Sequence, residues 1–402
     1  MKKKRIIILM HYMELGGAEM ALLGLLHALD YEKVDVELFI YSHRGELMPF
    51  IPEQVNILPE LPAYAAIECP MKQALLKGHL GVVCGRLRAK LAHREFLRHN
   101  AVPDGVQDAS VFGYVGHYVS SRVPHISPEK EYDLAVSFLT PHNFCADHVR
   151  AGHKVAWIHT DYSKVLVDKE LELPVWNQFD SIIAISDDVA RTFAEAFPSL
   201  AGKLTVIENI LPAEYIRRRA QEPMAENLER GELMLLSIGR FTYPKNFDNI
   251  PGMARFLVEN HGIDVRWYVI GYGGDEELIR RRVAQEGMER HVIIIGKRDN
   301  PYPYINACDI YVQPSRYEGK SITVREAQTL CKPVVITRYP TAASQVNDGV
   351  NGVICDLDNE AVADAVEALF RDADRRREII RNLQPSDFAM LSEADKLLSI
   401  IP

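Results

Sequence analysis

The sequence has no apolar run long enough to cross a bilayer, no closely spaced pair of cysteines and no excess of basic residues. A membrane-spanning helix needs roughly 20 apolar residues, and no stretch approaches that length. The six cysteines lie far apart, which indicates free thiols in a reducing compartment. The formal net charge of −9 argues against a dedicated nucleic-acid-binding protein. These absences together predict a cytoplasmic protein.

The amino terminus superficially resembles a signal peptide, because an apolar run follows several basic residues. The run stops after Met10, and His11 and Glu14 follow. It is therefore shorter than the roughly 7–15 residues of a secretory apolar region. A first buried β-strand is the better interpretation.

With 402 residues, 47% of them hydrophobic, the chain is long enough for two domains with sizeable cores. Buried strands alternate with helical patterns, which is typical of parallel α/β sheets. The pattern starts twice, so we predict an α/β protein with two doubly wound, Rossmann-like domains: 1–210 and 211–385, followed by 386–402. The predicted strands are Ile6–Met10, Val34–Tyr41, Leu134–Ser137, Val155–Ile158, Ser181–Ile185, Leu204–Ile207, Met234–Ile238, Val265–Ile270, Val292–Ile295, Ile310–Val312 and Val334–Thr337.

Residues 71–100 differ from their surroundings, because they hold seven Lys/Arg against the single acid Glu95. Apolar residues recur there at helical spacing: Leu75, Leu76, Leu80, Val83, Leu87 and Leu91. Such a basic amphipathic helix can lie on an anionic membrane surface. The alternative is a surface helix whose apolar stripe packs inward, and the sequence leaves both interpretations open.

The most informative segment is 311–327, in which a strand, a polar loop and a helix follow one another. Glu318 and Glu326 flank a stretch, Gly319-Lys320-Ser321-Ile322, whose backbone amides come just before a helix. Free amides at a helix start bind phosphate, and carboxylates beside them suit sugar hydroxyls. Thr323-x-x-Glu326 also has the pattern of a capping box, so Glu326 could instead cap the helix.

A second basic element follows the first strand of the second domain. Arg240 and Lys245 stand in the loop after Gly239, where ligands bind in doubly wound sheets. Two fixed positive charges there would stabilise a departing diphosphate.

Other patterns do not support a metal or a dinucleotide. His142, His148, His153 and His159 have no zinc spacing, and Asp356-Leu-Asp358 is typical of a turn. Gly271-Tyr-Gly273 lacks the full Gly-x-Gly-x-x-Gly fingerprint. We therefore expect neither a metal nor another cofactor.

Several motifs together resemble the retaining glycosyltransferases of family 4, which have the two-domain GT-B fold. They are Gly16-Gly17-Ala18-Glu19, Trp157-Ile-His159-Thr-Asp161, Gly239-Arg240 with Lys245-Asn246, Gly271-Tyr-Gly273, and Pro314-Ser-Arg-Tyr-Glu318-Gly with Glu326. The Trp157–Tyr162 run resembles enzymes of capsular and exopolysaccharide assembly. The loop Lys320-Ser321-Ile322-Thr323 departs from the usual Phe-Gly-Leu-Pro type, which leaves the donor open.

The resemblance implies a role for each matching residue. The donor-binding residues would be Gly16, Gly17, Gly239, Gly271, Lys297, Arg298, Gly319, Lys320, Ser321, Ile322 and Glu326, with Lys297 and Arg298 at the nucleobase and Glu326 at the ribose. The catalytic residues would be His159 and Glu318 at the donor sugar and Arg240 and Lys245 at the diphosphate. Residues 386–402 would form a helix that returns to the first, acceptor-side domain, and 211–385 would hold the donor across a cleft.

The function implied is retaining transfer of a sugar from a nucleotide sugar, such as a UDP-sugar, to an acceptor glycan, for example a lipid-linked one. The protein would be cytoplasmic, with membrane-surface contact through 71–100 as one option. Two alternatives remain: a catalytically silent nucleotide-sugar-binding subunit and a sugar-nucleotide epimerase. An NAD dehydrogenase would need the missing fingerprint.

Overall fold

The computed structural model describes residues 3–14, 16–103, 106–318, 321–384 and 388–401. The chain divides into two compact units, 1–212 with 390–402 and 213–389. The domain boundary predicted after residue 210 lies two residues before this division.

The first unit is built on a parallel sheet whose described strands have the order β3-β2-β1-β5-β6-β8-β9. Its strands are β1 (Lys4–Met10), β2 (Val34–Ile40), β3 (Asn56–Ile57), β4 (Gln107–Asp108), β5 (Tyr132–Ser137), β6 (Ala151–Ile158), β7 (Val165–Leu166), β8 (Ser181–Ala184) and β9 (Leu204–Val206). Its helices are α1 (Gly17–Ala28), α2 (Pro62–Glu68), α3 (Met71–Leu76), α4 (Leu80–His99), α5 (Ser110–Val119), α6 (Asn143–His148), α7 (Lys169–Trp176) and α8 (Asp187–Ala196). β4 and β7 form a separate parallel pair.

The second unit contains a parallel sheet whose described strands have the order β12-β11-β10-β13-β14-β15. Its strands are β10 (Leu233–Ile238), β11 (Val265–Ile270), β12 (Val292–Gly296), β13 (Ile310–Gln313), β14 (Val334–Thr337) and β15 (Val353–Cys355). Its helices are α9 (Ala213–Arg219), α10 (Ile250–Arg255), α11 (Glu276–Gln285), α12 (Tyr302–Ala307), α13 (Ile322–Thr329), α14 (Asn359–Arg371) and α15 (Ala373–Leu383).

Each sheet reverses its strand order at one place, between β1 and β5 in the first unit and between β10 and β13 in the second. Doubly wound sheets bind ligands at such switch points, at the carboxyl ends of the strands. In the second unit Leu235 pairs with Ile310 and Leu236 with Tyr311, so β10 and β13 are direct neighbours. The loops that follow these two strands therefore begin side by side.

The last described helix is α16 (Glu393–Ser399), which belongs to the first unit. The Glu393 carboxylate accepts a hydrogen bond from the Glu208 backbone N–H at 3.0 Å and pairs with Lys396 at 2.7 Å. The Glu208 contact holds α16 beside the residues that follow β9.

The apolar stripe of residues 71–100 does not pack inward, so that alternative from the sequence is wrong. Leu75, Leu76, Leu80, Leu87 and Leu91 are all exposed, and of the predicted stripe only Val83 is buried. The helices α3 and α4 bury smaller residues instead, among them Ala74, Gly85 and Ala89. Over the described residues, no helix is both long enough and apolar enough to traverse a bilayer.

Candidate functional site

The switch point of the second unit brings Lys245 and Glu318 together. Lys245 follows β10 and Glu318 follows β13, and the Lys245 ammonium lies 2.5 Å from a Glu318 carboxylate oxygen. The same oxygen accepts hydrogen bonds from the Ser315 hydroxyl at 2.7 Å and the Gln313 side-chain amide at 3.2 Å. A carboxylate with three donors is held in one position. An ammonium carries three N–H donors, so Lys245 has capacity left for an anionic ligand.

Asn246 fixes the loop that carries Lys245. Its backbone is left-handed, with φ of 61°, and its buried side-chain amide donates to the Pro314 carbonyl at 2.8 Å. Asparagine tolerates this conformation better than most residues. The Arg316 backbone N–H also donates to the Pro244 carbonyl at 2.8 Å. The two loops are thus tied together by backbone contacts as well as by the ion pair.

The glycines beside this ion pair serve close packing. A β-carbon at Gly239 would lie 3.3 Å from the Phe247 ring, which is tight, and in ordinary contact with the Lys245 side chain at 3.4 Å. Gly271 has a φ of 156°, and a β-carbon there would lie 1.9 Å from the Gly239 carbonyl oxygen. Gly271 therefore lets the loop after β11 approach the loop after β10. This accounts for the glycine without a dinucleotide.

Arg240 follows Gly239 at the same edge of the sheet and is exposed. Across the ranges that the structure describes, its guanidinium makes no ion pair or hydrogen bond. Arg240 therefore does not belong to the hydrogen-bond network of Lys245 and Glu318. The diphosphate contact that the resemblance implies for Arg240 requires a bound anion.

The two nucleobase residues from the resemblance lie just after β12. Arg298 pairs with Glu226, whose other oxygen accepts from the Tyr304 hydroxyl. These hydrogen bonds hold the pKa of the Glu226 carboxyl below its ordinary value. The Arg298 guanidinium is therefore engaged within the protein. Lys297 is exposed, with its ammonium 5.8 Å from the centre of the Tyr272 ring.

The start of α13 differs from the prediction that its amides are free for phosphate. Gly319 and Lys320 lie outside the described residues. The Ser321 N–H donates to the Gln345 side-chain oxygen at 2.9 Å, and the Gln345 side-chain nitrogen donates back to the Ser321 carbonyl at 3.0 Å. The Ser321 amide is therefore already satisfied. Ile322 is the first residue of α13 and is exposed.

Glu326 is not a helix cap, so the capping-box alternative is wrong. It lies in the second turn of α13, is buried, and accepts a hydrogen bond from the Tyr302 hydroxyl at 3.0 Å. The Thr323 hydroxyl donates to the Gln313 side-chain oxygen at 3.3 Å, whereas a capping hydroxyl would accept from a backbone N–H at the helix start. Burial raises the pKa of Glu326 to about 7, although the Tyr302 hydrogen bond opposes the shift.

His159 directly follows β6 in the first unit. Burial lowers its pKa to about 4, so the imidazole is neutral at pH 7. A hydrogen bond to the Phe138 backbone opposes this shift, and Nε2 has no partner among the described residues. Since Nδ1 then donates to the carbonyl, Nε2 is a hydrogen-bond acceptor. His159 also lines a cavity of about 50 Å³ together with His142 and Glu172.

Gly16 precedes α1 and Gly17 begins it, and only Gly16 is closely approached by a side chain. A β-carbon at Gly16 would lie 2.2 Å from a Glu19 carboxylate oxygen, whereas one at Gly17 would meet nothing within 4 Å. Glu19 is buried, and desolvation raises the pKa of its carboxyl. Gly16 thus leaves room for the buried side chain of Glu19.

Sequence reasoning missed Gln313, Ser315, Tyr302, Gln345 and Glu226. Gln313 and Ser315 lie within the segment 311–327, but neutral polar residues in a loop have no distinctive sequence pattern. Tyr302 and Gln345 are 24 residues from Glu326 and Ser321 respectively. No local spacing signals such pairs. In the described ranges, no group of three or more His, Cys, Asp or Glu side chains is placed to hold a metal ion.

One comparison with known proteins concerns the second unit. Residues 219–384 match the family described as group 1 glycosyl transferases. An N-acetylgalactosamine-N,N'-diacetylbacillosaminyl-diphospho-undecaprenol 4-alpha-N-acetylgalactosaminyltransferase of Campylobacter jejuni is 24% identical over 220 residues, 54% of this chain and 58% of that protein. A glycosyltransferase of Methanocaldococcus jannaschii, MJ1059, is 21% identical over 189 residues, 46% of each chain. The chain spans about half the length of these curated relatives.

The fold is similar to that of solved structures over almost the whole chain. Anabaena Alr3699/HepE in complex with UDP and glucose is 17% identical, with a TM-score of 0.58 over 99% of each chain. The structural neighbours are GT-B glycosyltransferases, so the predicted fold class of two Rossmann-like units is confirmed.

Proposed function

We propose that this protein is a retaining glycosyltransferase of family 4 that transfers a sugar from a UDP-sugar to an acceptor glycan. The acceptor is a lipid-linked glycan of capsular, exopolysaccharide or lipopolysaccharide assembly. The enzyme works in the cytoplasm, at the cytosolic membrane face, and needs no metal. The single observation that carries the proposal is the Lys245–Glu318 pair at the switch point of the second unit.

The pair suits a ligand with a diphosphate next to a carbohydrate. Lys245 offers positive charge to the diphosphate, and Arg240 adds a second cation at the same sheet edge. Glu318 has one carboxylate oxygen saturated by three donors, so its other oxygen is the one that accepts from a sugar hydroxyl. A cation and a carboxylate in fixed positions can therefore bind the diphosphate and the sugar of a nucleotide sugar separately.

The remaining residues complete the donor site in this proposal. Glu326 accepts from the ribose hydroxyls, and Tyr302 orients its carboxylate. Ile322 contributes a first-turn amide of α13 to the phosphates. The resemblance assigns His159 a hydrogen bond to a donor-sugar hydroxyl, and its Nε2 is the acceptor for that bond. Lys297 contributes to the nucleobase, whereas Arg298 acts there through its backbone because Glu226 holds its side chain.

The reaction proceeds on one face of the sugar. The bond between the anomeric carbon and the diphosphate oxygen breaks, and the electron pair leaves with the UDP. The acceptor hydroxyl oxygen bonds to the anomeric carbon on the same face, while its proton passes to the departing phosphate. Lys245 and Arg240 stabilise the charge that develops on that phosphate, which lowers the barrier without a metal.

The donor and acceptor follow from similarity to other proteins. The Anabaena neighbour was crystallised with UDP and glucose, and the Campylobacter relative is named for a diphospho-undecaprenol acceptor. Both observations support a UDP-sugar and a lipid-linked glycan. They leave the identity of the sugar to experiment.

The proposal is tested first by a thermal-shift panel of UDP-, GDP- and ADP-sugars on the full chain. A ligand at about 100 times its dissociation constant adds about 2.7 kcal/mol to the free energy of unfolding. We expect stabilisation by a UDP-sugar above the others. The stabilising donor is then supplied with a membrane-lipid extract, and release of UDP is measured with and without a chelator.

Each outcome distinguishes the possible functions. UDP release that needs the extract and persists with the chelator supports the metal-independent transferase. Isomerisation of the donor without an acceptor would instead identify an epimerase. Donor binding without any turnover would identify a silent binding subunit. Stabilisation by none of the sugars would contradict the proposed donor site.

A further inference from the structure

The helix α4 is amphipathic, but its large apolar side chains face solvent and its small residues are buried. Leu80, Leu87 and Leu91 are 61%, 46% and 65% exposed, and we call these three the outer leucine stripe. The opposite face buries Val82 and small residues such as Gly85 and Ala89. A surface helix of a soluble protein normally turns its leucines to the core. The stripe therefore leaves a large apolar surface in water.

Packing against α5 fixes this orientation of α4. A β-carbon at Gly85 would lie 2.7 Å from the Tyr118 carbonyl oxygen, so the inner face has room only for small residues. The Arg86 guanidinium donates to the carbonyls of Ala66 and Cys69, at 3.0 and 2.6 Å, and ties α4 to the end of α2. Rotation of the leucines inward would break these contacts. Their exposure is thus built into the fold.

Basic side chains border the outer leucine stripe on both sides. At 100° per residue, Arg88 and Lys90 lie about 80° to either side of the stripe, and Arg94 extends one border. The one acid on this face, Glu95, is neutralised by Arg98 at 2.5 Å. The preceding helix α3 and the residue that follows it add further exposed residues of the same two kinds: Lys72, Leu75, Leu76 and Lys77. The exposed surface of α3 and α4 therefore carries a strong positive charge, although the whole chain has a net charge of −9.

We propose that this face docks on an anionic bilayer, with α4 lying in the plane of the membrane surface. The outer leucine stripe would enter the boundary between headgroups and acyl chains, and the basic borders would contact lipid phosphates. The charge pattern selects this occupant. A second copy docked by the same face would oppose like charges, and a nucleic acid would leave the leucines exposed.

Vesicle sedimentation tests this docking with the full chain and without any nucleotide or acceptor. The vesicles are phosphatidylcholine alone or phosphatidylcholine with about a third phosphatidylglycerol. The stripe variant carries Leu87→Ser and Leu91→Ser, and its control is Leu357→Ser, which removes an equally exposed leucine from the second unit. The border variant carries Arg88→Gln and Lys90→Gln, and its control carries Arg281→Gln and Arg290→Gln.

We expect the wild-type protein to sediment with the anionic vesicles and to dissociate as salt is raised. Each double variant on α4 should lower the partition coefficient about tenfold, while both controls bind as the wild type does. Thermal unfolding of the stripe variant should match that of the wild type, because serine replaces exposed side chains.

Four results would overturn the proposal. They are absence of wild-type sedimentation, equal binding to neutral and anionic vesicles, equal losses in the α4 variants and their controls, and a wild-type dimer that the stripe variant dissociates. None of these measurements depends on transfer activity. A protein that binds vesicles but no nucleotide sugar would retain this inference and lose the proposed function.

Discussion

Replacing Lys245 by alanine tests the central contact of the proposed site. The change removes the cation that the proposal assigns to the diphosphate but leaves Glu318 with two donors, from Ser315 and Gln313. The carboxylate is therefore still hydrogen-bonded, and the fold should survive. Loss of one partner of such a half-buried pair costs about 1–3 kcal/mol of stability.

The expected effect on catalysis is larger than the effect on stability. Removing one preorganised group that stabilises the departing charge lowers turnover by about 100- to 1,000-fold. The assay measures UDP release with saturating donor and acceptor, together with the midpoint of thermal unfolding. We expect turnover to fall by that factor while the midpoint of thermal unfolding falls by only a few degrees.

The chain offers a matched control in the first unit. Lys130 pairs with Glu37 at 2.7 Å, and Glu37 also accepts hydrogen bonds from Tyr132 and Asn56. Lys130→Ala should therefore destabilise the protein to a similar extent without a loss of turnover. If Lys245→Ala lowered turnover no more than Lys130→Ala does, the diphosphate role of Lys245 would be refuted.

Further predictions concern Glu326 and the packing glycines. The pKa of Glu326 is raised from its ordinary 4.5 to about 7, so the folded protein binds a proton that the unfolded chain releases. The free energy of unfolding should thus fall as pH rises from about 4.5 to 7, and Glu326→Gln should flatten that fall in pH-dependent unfolding while activity is lost. Tyr302→Phe removes a hydrogen bond that lowers the Glu326 pKa, so the acidic limb of the kcat/KM profile should move to higher pH; an unmoved limb would contradict the contact. Gly271→Ala should destabilise by about 2 kcal/mol or more, whereas Gly274→Ala, whose β-carbon meets nothing within 4 Å, should be neutral in thermal unfolding.

For the Lys245–Glu318 site, the sequence predicted the two residues but not the contact between them. Both residues were identified because each follows a continuous apolar run that ends in a polar loop. Their contact was not available from the pattern, since 73 residues separate them. It exists because β10 and β13 are neighbours in the sheet, which is a property of strand order. The interpretation of Glu326 as a possible helix cap failed because α13 begins at Ile322, before Thr323, which places Glu326 in the second turn of the helix.

The apolar segment 71–100 shows a different limit. Its helical spacing was recognised, but the single helix predicted over 71–100 is two helices, α3 and α4, separated by residues 77–79. Spacing describes a stripe on a helix but not the direction in which the stripe points. Here Gly85 and Ala89 allow α4 to approach α5 closely, and the leucines are left outside. The shortest strands, β3, β4 and β7, were not predicted because two residues each are too few to show a pattern.

The sequence by itself determined the two α/β units and the loops where polar residues gather, because buried parallel strands are continuous apolar runs whatever surrounds them. Only the tertiary structure decided which side chains share a hydrogen bond and which face of α4 meets water. Both depend on strand order and on the fit between elements far apart in the chain. Hydrophobic periodicity is a local property, whereas the pairing of Lys245 with Glu318 and of Ser321 with Gln345 is set by packing across the whole second unit.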